Sequence, residues 1–262
     1  IEVGPFQVRY YGLVFAATLL AGFFLWRGQM LRGGHSRKLA DGFLLWGVVA
    51  VVVGARLAHC LFYEPGRYLA DPLAILRFWE GGLASHGATV ALVIALAWYA
   101  RRHRVPVLEA MDRFTFSAAA GAAGIRLGNF LNSEIVGRAT DLPWAVRFVH
   151  YDQGVVARHP SQLYEFALGL AVLGVLVLAD RLAGRERRPV GLLTGLFFVV
   201  YFAGRFGVEF FKEYQALEGS FLTMGQYLSI VPLLAGAALL AWSLVRARAK
   251  GAPRNESRRG AA

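Results

Sequence analysis

The sequence predicts an all-α polytopic membrane protein with about seven transmembrane helices, its N-terminus outside and its C-terminus in the cytoplasm. Of the 262 residues, 56% are apolar and only 17% are charged, and the mean hydropathy is +0.46. These values exclude a disordered chain and an ordinary soluble domain. One helical crossing of the hydrocarbon core takes roughly 20 apolar residues, so seven crossings fit this chain and leave room for loops.

Seven apolar stretches are separated by clusters of charged residues, Gly and Pro. The first has no basic segment and cleavage site of a signal peptide, so we expect a retained helix. The fourth contains Arg126 and is weak as a lone lipid-facing helix, but Ala120, Gly124 and Gly128 recur at every fourth position. Small residues at this spacing allow a neighbouring helix to approach closely. The stretches are 11–30, 41–63, 83–100, 114–133, 161–180, 190–211 and 225–245.

Basic residues are concentrated in the loops after the first, third and fifth stretches and in the C-terminal tail. By the positive-inside rule these segments face the cytoplasm, which leaves the N-terminus outside. The net charge of +11 predicts contact with anionic membrane lipids, and no nucleic-acid partner is expected. Residues 1–246 are therefore predicted to form the transmembrane domain, and residues 247–262 a basic, disordered cytoplasmic tail.

Two outer loops are long enough to carry structure. Residues 64–82 place four apolar side chains on or near one helical face, which predicts an interfacial helix. Residues 134–160 contain an alternation of apolar side chains that is typical of a strand, and they are predicted to form a small outer cap. The four side chains in the first loop are Leu69, Leu73, Leu76 and Trp79, and the alternating ones are Trp144, Val146 and Phe148.

Three arginines, Arg56, Arg126 and Arg205, lie inside the apolar stretches. Each costs about 2.5 to 3.5 kcal/mol to insert at mid-span, so each needs a partner or a task. Arg56 would snorkel or pack structurally. Arg126 and Arg205 fall at similar depth in the outer half of the membrane. Two interpretations stay open for this pair: each is neutralised by a carboxylate between helices, or both bind a phosphate such as a phospholipid headgroup.

Polar residues near the same leaflet extend this candidate site. Glu209 lies one helical turn after Arg205 and would pair with it. Asn129 and Glu134 follow Arg126, and His86 begins the third stretch among glycines, where little bulk obstructs a ligand. His159, Gln162 and Glu165 are expected at the outer surface, where the fifth stretch begins, and Tyr10 and Tyr11 at the outer boundary of the first.

Several kinds of chemistry have no support in the sequence. The single cysteine, Cys60, excludes an intrachain disulfide and is interpreted as a packing residue. Phosphate-binding loops, the HExxH and GxSxG motifs and Cys/His ligand spacings are absent. Neither a metal nor a cofactor is therefore expected.

The strings RYYGL, SHG, GIRLGNFLNSEIVGR, HPSQLYE, GRFGVEFFK and MGQYLS occur in that order on the predicted helices. Together they resemble the bacterial prolipoprotein diacylglyceryl transferases, and the resemblance extends from residue 10 to residue 229. It implies an enzyme of the bacterial inner membrane that moves the diacylglyceryl group of phosphatidylglycerol to the lipobox cysteine of an exported preprolipoprotein. The products would be a thioether and glycerol 1-phosphate, in the first step of lipoprotein maturation.

The resemblance also implies functional residues. His86, Arg126 and Arg205 would be catalytic, and five further positions would bind substrate. The chain has Ala88 and Ser133 where the family commonly has glycine, and both are small changes. The five substrate-binding positions are Tyr11, Asn129, Glu134, Gly137 and Glu209.

The expected mechanism has the two arginines holding the lipid phosphate near the outer leaflet, with Asn129 and Tyr11 donating hydrogen bonds. A base such as His86, or else water or His159, would raise the thiolate fraction of the acceptor cysteine. An anion or lipid transporter and a non-catalytic membrane scaffold are the alternatives.

Overall fold

A computed structural model of the chain describes residues 2–3, 6–7, 10–77, 82, 84–213 and 220–251. Within these ranges, residues 2–3, 6–7, 11, 85 and 250–251 are described by their backbone alone. The chain divides into two compact units. The first unit comprises Ile1–Gly22 and Thr115–Ala262, and the second comprises Phe23–Phe114.

Each of the seven predicted stretches lies on a long helix. By length and composition, five of the helices found in the described residues are able to cross a membrane, namely those containing Gly12–Arg32, Arg37–Phe62, Ser161–Leu182, Leu192–Phe211 and Met224–Ala249. The chain is therefore a helical, multi-pass membrane protein, and crossings by the third and fourth stretches stay predictions. The long helices are α1 (Tyr10–Arg32), α2 (Arg37–Phe62), α4 (Ser85–Arg102), α5 (Val107–Leu131), α7 (Ser161–Leu182), α8 (Leu192–Val208) and α9 (Met224–Gly251).

Small residues bring the helices of the first unit close together. A Cβ atom added at Gly124 of α5 would lie 2.0 Å from Thr18 Oγ1 of α1, which confirms the close approach predicted at this position. A Cβ at Gly169 of α7 would lie 2.8 Å from the α5 backbone, and one at Gly236 of α9 would lie 2.4 Å from Phe198 of α8. Helices α5, α7, α8 and α9 therefore pack with little side-chain bulk between them.

Residues between α5 and α7 carry short strands. The strands β3 (Val146–Arg147) and β4 (Ala157–Arg158) pair antiparallel on either side of the four-residue helix α6 (Val149–Asp152). The alternation that predicts a strand therefore includes β3. At the chain start, β1 (Glu2–Val3) pairs with β2 (Phe6–Gln7).

The second unit has an aromatic core between the end of α1, α2, α4 and the start of α5. Trp26 donates through Nε1 to the carbonyl of Ala40 at 2.9 Å, and the Tyr99 hydroxyl donates to the carbonyl of Leu39 at 2.8 Å. The Phe43 ring lies 5.2 Å from the Trp26 ring and 5.3 Å from the Tyr99 ring. These polar atoms are therefore paired where the rings are buried.

The loop after α2 differs from the single interfacial helix that was predicted. It contains α3 (Pro65–Ala70) and a separate 3-10 turn (Pro72–Leu76), because Pro72 cannot donate a hydrogen bond to continue the helix. Leu69, Leu73 and Leu76 are exposed, as expected of a segment lying against lipid. Trp79 lies outside the described residues.

The prediction of a disordered tail from residue 247 is wrong for its first five residues, because α9 continues to Gly251. Ala and Arg are strong helix formers, and basic residues at the end of a helix are stabilised by its dipole. Residues 252–262 lie outside the described part of the chain.

Candidate active site

Glu165, near the start of α7, joins the two arginines that the sequence singles out. Its side chain is only 2% exposed. Arg126 Nε lies 2.9 Å from Glu165 Oε2, and Arg205 Nη1 donates to Glu165 Oε1 at 3.1 Å. One carboxylate therefore serves both guanidinium groups, so each arginine does contact a carboxylate between helices, but the two arginines share a single negative charge.

Glu165 was expected at the outer surface with His159 and Gln162, but all three side chains are buried. The Ser161 hydroxyl donates to the carbonyl of Ile135 at 3.0 Å, and Gln162 Nε2 donates to the carbonyl of Glu134 at 2.7 Å. The first turn of α7 is thereby fastened to the chain that follows α5. This contact buries the polar start of the helix and directs Glu165 inward.

Lys212 is a third cation at the site, and the sequence analysis missed it. Its Nζ lies 3.1 Å from Glu165 Oε1 and 3.1 Å from Glu209 Oε2. The predicted pairing of Arg205 with Glu209 is wrong, because Arg205 contacts Glu165 of α7 and the Glu209 carboxylate contacts Lys212. The N–H of Glu209 still donates to the carbonyl of Arg205, so the one-turn spacing is present but the side chains take other partners.

The charges of this cluster do not cancel. Among the residues that the structure describes, three cations, Arg126, Arg205 and Lys212, meet two carboxylates in direct ion-pair contact, which leaves one excess positive charge. The two arginine side chains remain 14% and 17% exposed, so each retains some open surface. A buried excess of positive charge favours an anionic ligand.

Asn129 links the cluster to a further carboxylate. Arg126 Nη1 donates to Asn129 Oδ1 at 3.3 Å, and Asn129 Nδ2 donates to Glu134 Oε2 at 2.9 Å. Asn132 Nδ2 also donates to Glu134, at 3.2 Å. The predicted neighbours Asn129 and Glu134 are thus brought to Arg126, although Glu134 itself is exposed. Asn129 therefore orients one edge of the Arg126 guanidinium, and its own amide group lies beside that edge.

Gly137 holds two parts of the chain together at the site. Its backbone pairs with Lys212, and its N–H donates to the carbonyl of His159 at 3.0 Å. An added Cβ would lie 2.3 Å from that carbonyl oxygen and 2.7 Å from the carbonyl oxygen of Phe211. Only glycine fits between these backbones. Gly137 therefore acts here through backbone packing that brings Lys212 beside α7.

The start of α9 packs against the carboxylate of Glu209. Thr223 and Gln226 form a reciprocal capping box, in which the Gln226 N–H donates to Thr223 Oγ1 at 3.2 Å and the Thr223 N–H donates to Gln226 Oε1 at 3.0 Å. A Cβ at Gly225 would lie 2.4 Å from the Glu209 carboxylate. The glycine in the string MGQYLS therefore leaves room for that carboxylate.

His159 is a buried ring beside the cluster. Its Nδ1 lies 3.1 Å from the Tyr164 hydroxyl, which also accepts a hydrogen bond from Trp144 Nε1 at 2.8 Å. Burial, followed by the positive charge of Arg138, lowers the pKa of His159 below its ordinary value. The ring is therefore held neutral near pH 7.

Two predicted site residues are not part of this cluster as described. His86 lies in the first turn of α4, which belongs to the second unit, and its side chain is exposed. Tyr11 lies in the first turn of α1, and its side chain is outside the described part of the structure. The roles of both residues stay predictions.

The helices and this cluster define a class: a multi-pass membrane protein with a buried, positively charged polar site able to receive an anionic group. A family model described as prolipoprotein diacylglyceryl transferase matches residues 1–242. The chain is 39% identical over 267 residues to the phosphatidylglycerol–prolipoprotein diacylglyceryl transferase of Nitrosomonas europaea, covering 99% of this chain and 93% of the relative. It is 41% identical over 243 residues to the protein of that name from Tolumonas auensis, covering 92% and 93%.

A third relative of the same name, from Cupriavidus pinatubonensis, is 38% identical over 275 residues and covers 100% of this chain and 96% of its own length. This chain belongs to the prolipoprotein diacylglyceryl transferase family, and it is a transferase. The family resemblance drawn from the sequence motifs is confirmed.

Proposed function

We infer that this chain transfers the diacylglyceryl group of phosphatidylglycerol to the lipobox cysteine of an exported preprolipoprotein. The single observation that carries this inference is the meeting of Arg126 and Arg205 on Glu165 with one positive charge in excess. The family supplies the reaction, since the relatives' names specify phosphatidylglycerol and prolipoprotein. The step would begin lipoprotein maturation.

The lipid phosphate would bind beside Arg126 and Arg205. A phosphodiester carries one negative charge, which matches the one excess positive charge of the cluster. Each guanidinium has five N–H donors in a planar fork, and Glu165 and Asn129 engage only part of them. The Asn129 amide and the Tyr11 hydroxyl would add hydrogen bonds. Glu134, Gly137 and Glu209 would act on substrate binding through the contacts that hold Asn129 and Lys212.

The reaction is a displacement at carbon. The acceptor thiol loses its proton to a base, and the thiolate attacks the glyceryl carbon that is bonded to the phosphate oxygen. A C–S bond forms and the C–O bond breaks, with the bonding electrons leaving on glycerol 1-phosphate. Negative charge therefore grows on the phosphate as the bond breaks. The two guanidinium groups stabilise that charge more in the transition state than in the bound lipid.

His86 is the proposed base because it is an exposed histidine at a helix start, with a side chain able to meet a peptide thiol. His159 is the weaker candidate, since its ring is buried and its Nδ1 is engaged by Tyr164. Catalysis would occur toward the outer leaflet of the bacterial inner membrane, within seven crossings and with the C-terminus in the cytoplasm. Anionic lipids would surround the basic cytoplasmic loops.

The test uses the full chain, purified in detergent, with isotope-labelled phosphatidylglycerol and a lipobox peptide. We expect Arg126→Ala and Arg205→Ala each to lower thioether formation by roughly 100- to 1,000-fold, as expected for the loss of a group that stabilises developing charge. Arg147→Gln is the control, because Arg147 is exposed and donates to the carbonyls of Gly154 and Val155. Mass spectrometry of the peptide measures the product.

The same assay separates the alternatives. Near-normal turnover in both alanine variants would overturn the role of the arginines in phosphate binding. A transporter would move labelled lipid or anion across liposomes without forming a thioether, and a scaffold would do neither. For the base, His86→Gln is expected to lose activity across pH 6 to 9; if most activity is retained, the base is water or His159.

A further inference from the structure

Arg56, in α2, fastens a stretch of non-helical backbone in the second unit. Its side chain is buried, at 5% exposure. Arg56 Nη2 donates to the carbonyls of Ala74 at 2.6 Å and Arg77 at 3.0 Å, and Nε donates to the carbonyl of Ile75 at 2.9 Å. Nη1 donates to the carbonyl of Gly82 at 3.3 Å. One guanidinium thus reaches carbonyls on both sides of residues 78–81.

Arg56 supplies donors to four carbonyls of this segment, and the Arg77 N–H also donates to that of Ala74 at 3.1 Å. The segment follows α2, a helix able to cross a membrane, and it exposes apolar side chains such as Leu69, which is 81% exposed. Backbone groups near a lipid phase must be hydrogen-bonded within the protein. The planar fork of an arginine serves several carbonyls at once, which the single nitrogen of a lysine does not do.

The residues just before His86 are held by the same part of α2. The N–H of Ala84 donates to the carbonyl of Ala55 at 2.9 Å. Gly82 has a φ of +76°, and a Cβ there would lie 2.7 Å from His59 Nε2 and 2.8 Å from Arg56 Nη1. Glycine is needed at position 82 both for this backbone conformation and for the close approach of the guanidinium.

Gly87, the residue just after His86, also packs closely against α2. A Cβ at Gly87 would lie 2.2 Å from the Ala58 Cβ and 2.3 Å from the carbonyl oxygen of Gly54. The backbones of α2 and α4 therefore touch one residue beyond His86. With Ala84 fixed on one side and Gly87 on the other, the exposed His86 ring stands on a backbone whose position depends on α2.

The geometry points to Arg56 as a positioning residue for His86. Arg56 sets where α4 begins, and so fixes the reach of the His86 ring, without touching substrate. This assignment rests on the proposed function, in which His86 is the base. Loosening the contact misplaces the base and lowers the rate of the chemical step, while lipid binding at Arg126 and Arg205 is unaffected.

The test is Arg56→Lys, which keeps the charge and loses the fork. A displacement of about 1 Å lowers a rate by up to roughly 100-fold, so we expect kcat to fall between about 10- and 100-fold. The KM for phosphatidylglycerol is expected to stay within about twofold. Hydrogen exchange at the Ala84 amide should quicken, because its bond to Ala55 is loosened. Arg67→Lys, an exposed arginine on the same segment, is the matched control and should leave kcat unchanged.

A double-mutant cycle distinguishes positioning from a general structural effect. If Arg56 acts through His86, the effect of Arg56→Lys on kcat disappears in a His86→Gln background, whereas it adds to that of Arg126→Lys. Additive effects with His86→Gln, or an unchanged kcat in Arg56→Lys, overturn the assignment. If Arg56→Lys does not fold, Gly82→Ala disturbs the same contact from the other side and replaces it in the cycle.

These outcomes are separate from failure of the proposed function itself. Full activity in Arg126→Ala overturns the arginine phosphate site whatever Arg56→Lys does. Full activity in Arg56→Lys, with Arg126→Ala and His86→Gln both inactive, leaves the proposed function standing and overturns only the positioning role.

Discussion

Helix α7 carries a buried carboxylate near each end, and the two are used differently. Near its start, Glu165 is shared by Arg126, Arg205 and Lys212. Near its end, Asp180 Oδ1 lies 2.9 Å from Arg188 Nη1, and Arg188 also lies 3.7 Å from Glu186. Glu165 is thus shared by three cations, whereas Asp180 and Glu186 both contact one buried arginine.

This difference in charge distinguishes an anion-binding site at the start of α7 from a structural ion pair at its end. Buried Arg188 pairs with Asp180 and also donates to the carbonyl of Arg185, as expected of a contact that holds a turn in place. At the Glu165 end, no third carboxylate of the described residues contacts the excess positive charge, so that end favours an anion from outside. An arginine beside a buried carboxylate does not by itself make this distinction, since both ends of α7 have one.

Gly137→Ala is expected to lower transferase activity more than the other substitutions below. It disrupts the contacts around Glu165 at the start of α7 and leaves those of Asp180 at its end intact. Its Cβ would lie 2.3 Å from the carbonyl oxygen of His159 and 2.7 Å from that of Phe211, so the backbone next to Lys212 is pushed away. We expect activity to fall by about 100-fold. Gly174→Ala on α7, where nothing lies within 4 Å of the new Cβ, is the control. Equal activity of the two variants in the transfer assay would contradict the packing role.

The comparison is tested directly by Glu165→Gln and Asp180→Asn. Glu165→Gln leaves three cations around one remaining carboxylate, so turnover should fall between roughly 10- and 100-fold as the arginines separate. Asp180→Asn should lower the free energy of unfolding by about 3 to 5 kcal/mol, as expected for breaking a buried pair, with kcat of the folded enzyme unchanged. Thermal unfolding and the transfer assay measure the two quantities. A loss of turnover in Asp180→Asn equal to that in Glu165→Gln would remove the distinction between the two ends.

Lys212→Met tests whether the excess positive charge contributes to lipid binding, because the substitution removes that charge. A nearby charge is worth on the order of 1 to 4 kcal/mol, so we expect the KM for phosphatidylglycerol to rise about tenfold. Lys212→Arg keeps the charge and should retain most of the affinity. Titration with lipid in mixed micelles measures the change, and an unaltered KM in Lys212→Met would show that the excess charge plays no part in lipid binding.

The smallest effect concerns His159, beside the start of α7. Burial lowers the pKa of His159, so its neutral form stabilises the fold above the ordinary histidine pKa near 6.5. That stability is lost as the pH falls through the lowered pKa of the folded state. His159→Gln should flatten the dependence of melting temperature on pH below about 6.5, by on the order of a degree. His150→Gln, at an exposed position, serves as the control, and an identical slope in wild type and His159→Gln would contradict the assignment.

The long helices could be predicted from the sequence, because the length of an apolar stretch and the charged residues at its ends are local properties. The contact of Arg126 with Asn129 was accessible too, since residues three apart lie on one helical face. Glu165 was missed as a partner because its contacts join residues far apart in the chain. Lys212 lies three residues after Glu209, so that ion pair was a local signal that was overlooked. A signal for Glu165 was also present: a carboxylate entering an apolar stretch needs a cation, and Arg126 and Arg205 needed an anion.

The pairing of Arg205 shows the limit of helical spacing. Four-residue spacing predicted Glu209 as its partner, but Arg205 contacts Glu165 of α7 instead, 40 residues away in the chain. Likewise, the segment after α2 was predicted from its apolar face, which takes no account of Pro72. Helix ends depend on tertiary contacts that a local sequence pattern does not contain. One example is the backbone bridge between Gly137 and Lys212.

Sharing Glu165 also imposes an order on biogenesis. Arg126 leaves the ribosome before its carboxylate exists, and Arg205 follows that carboxylate by 40 residues. Until α7 is made, Arg126 has Asn129 of its own helix as a neighbour, and its ion pair forms only when α7 arrives. The full cluster assembles once translation has passed Lys212, so a nascent chain that stops earlier lacks at least one of the charges that meet at Glu165.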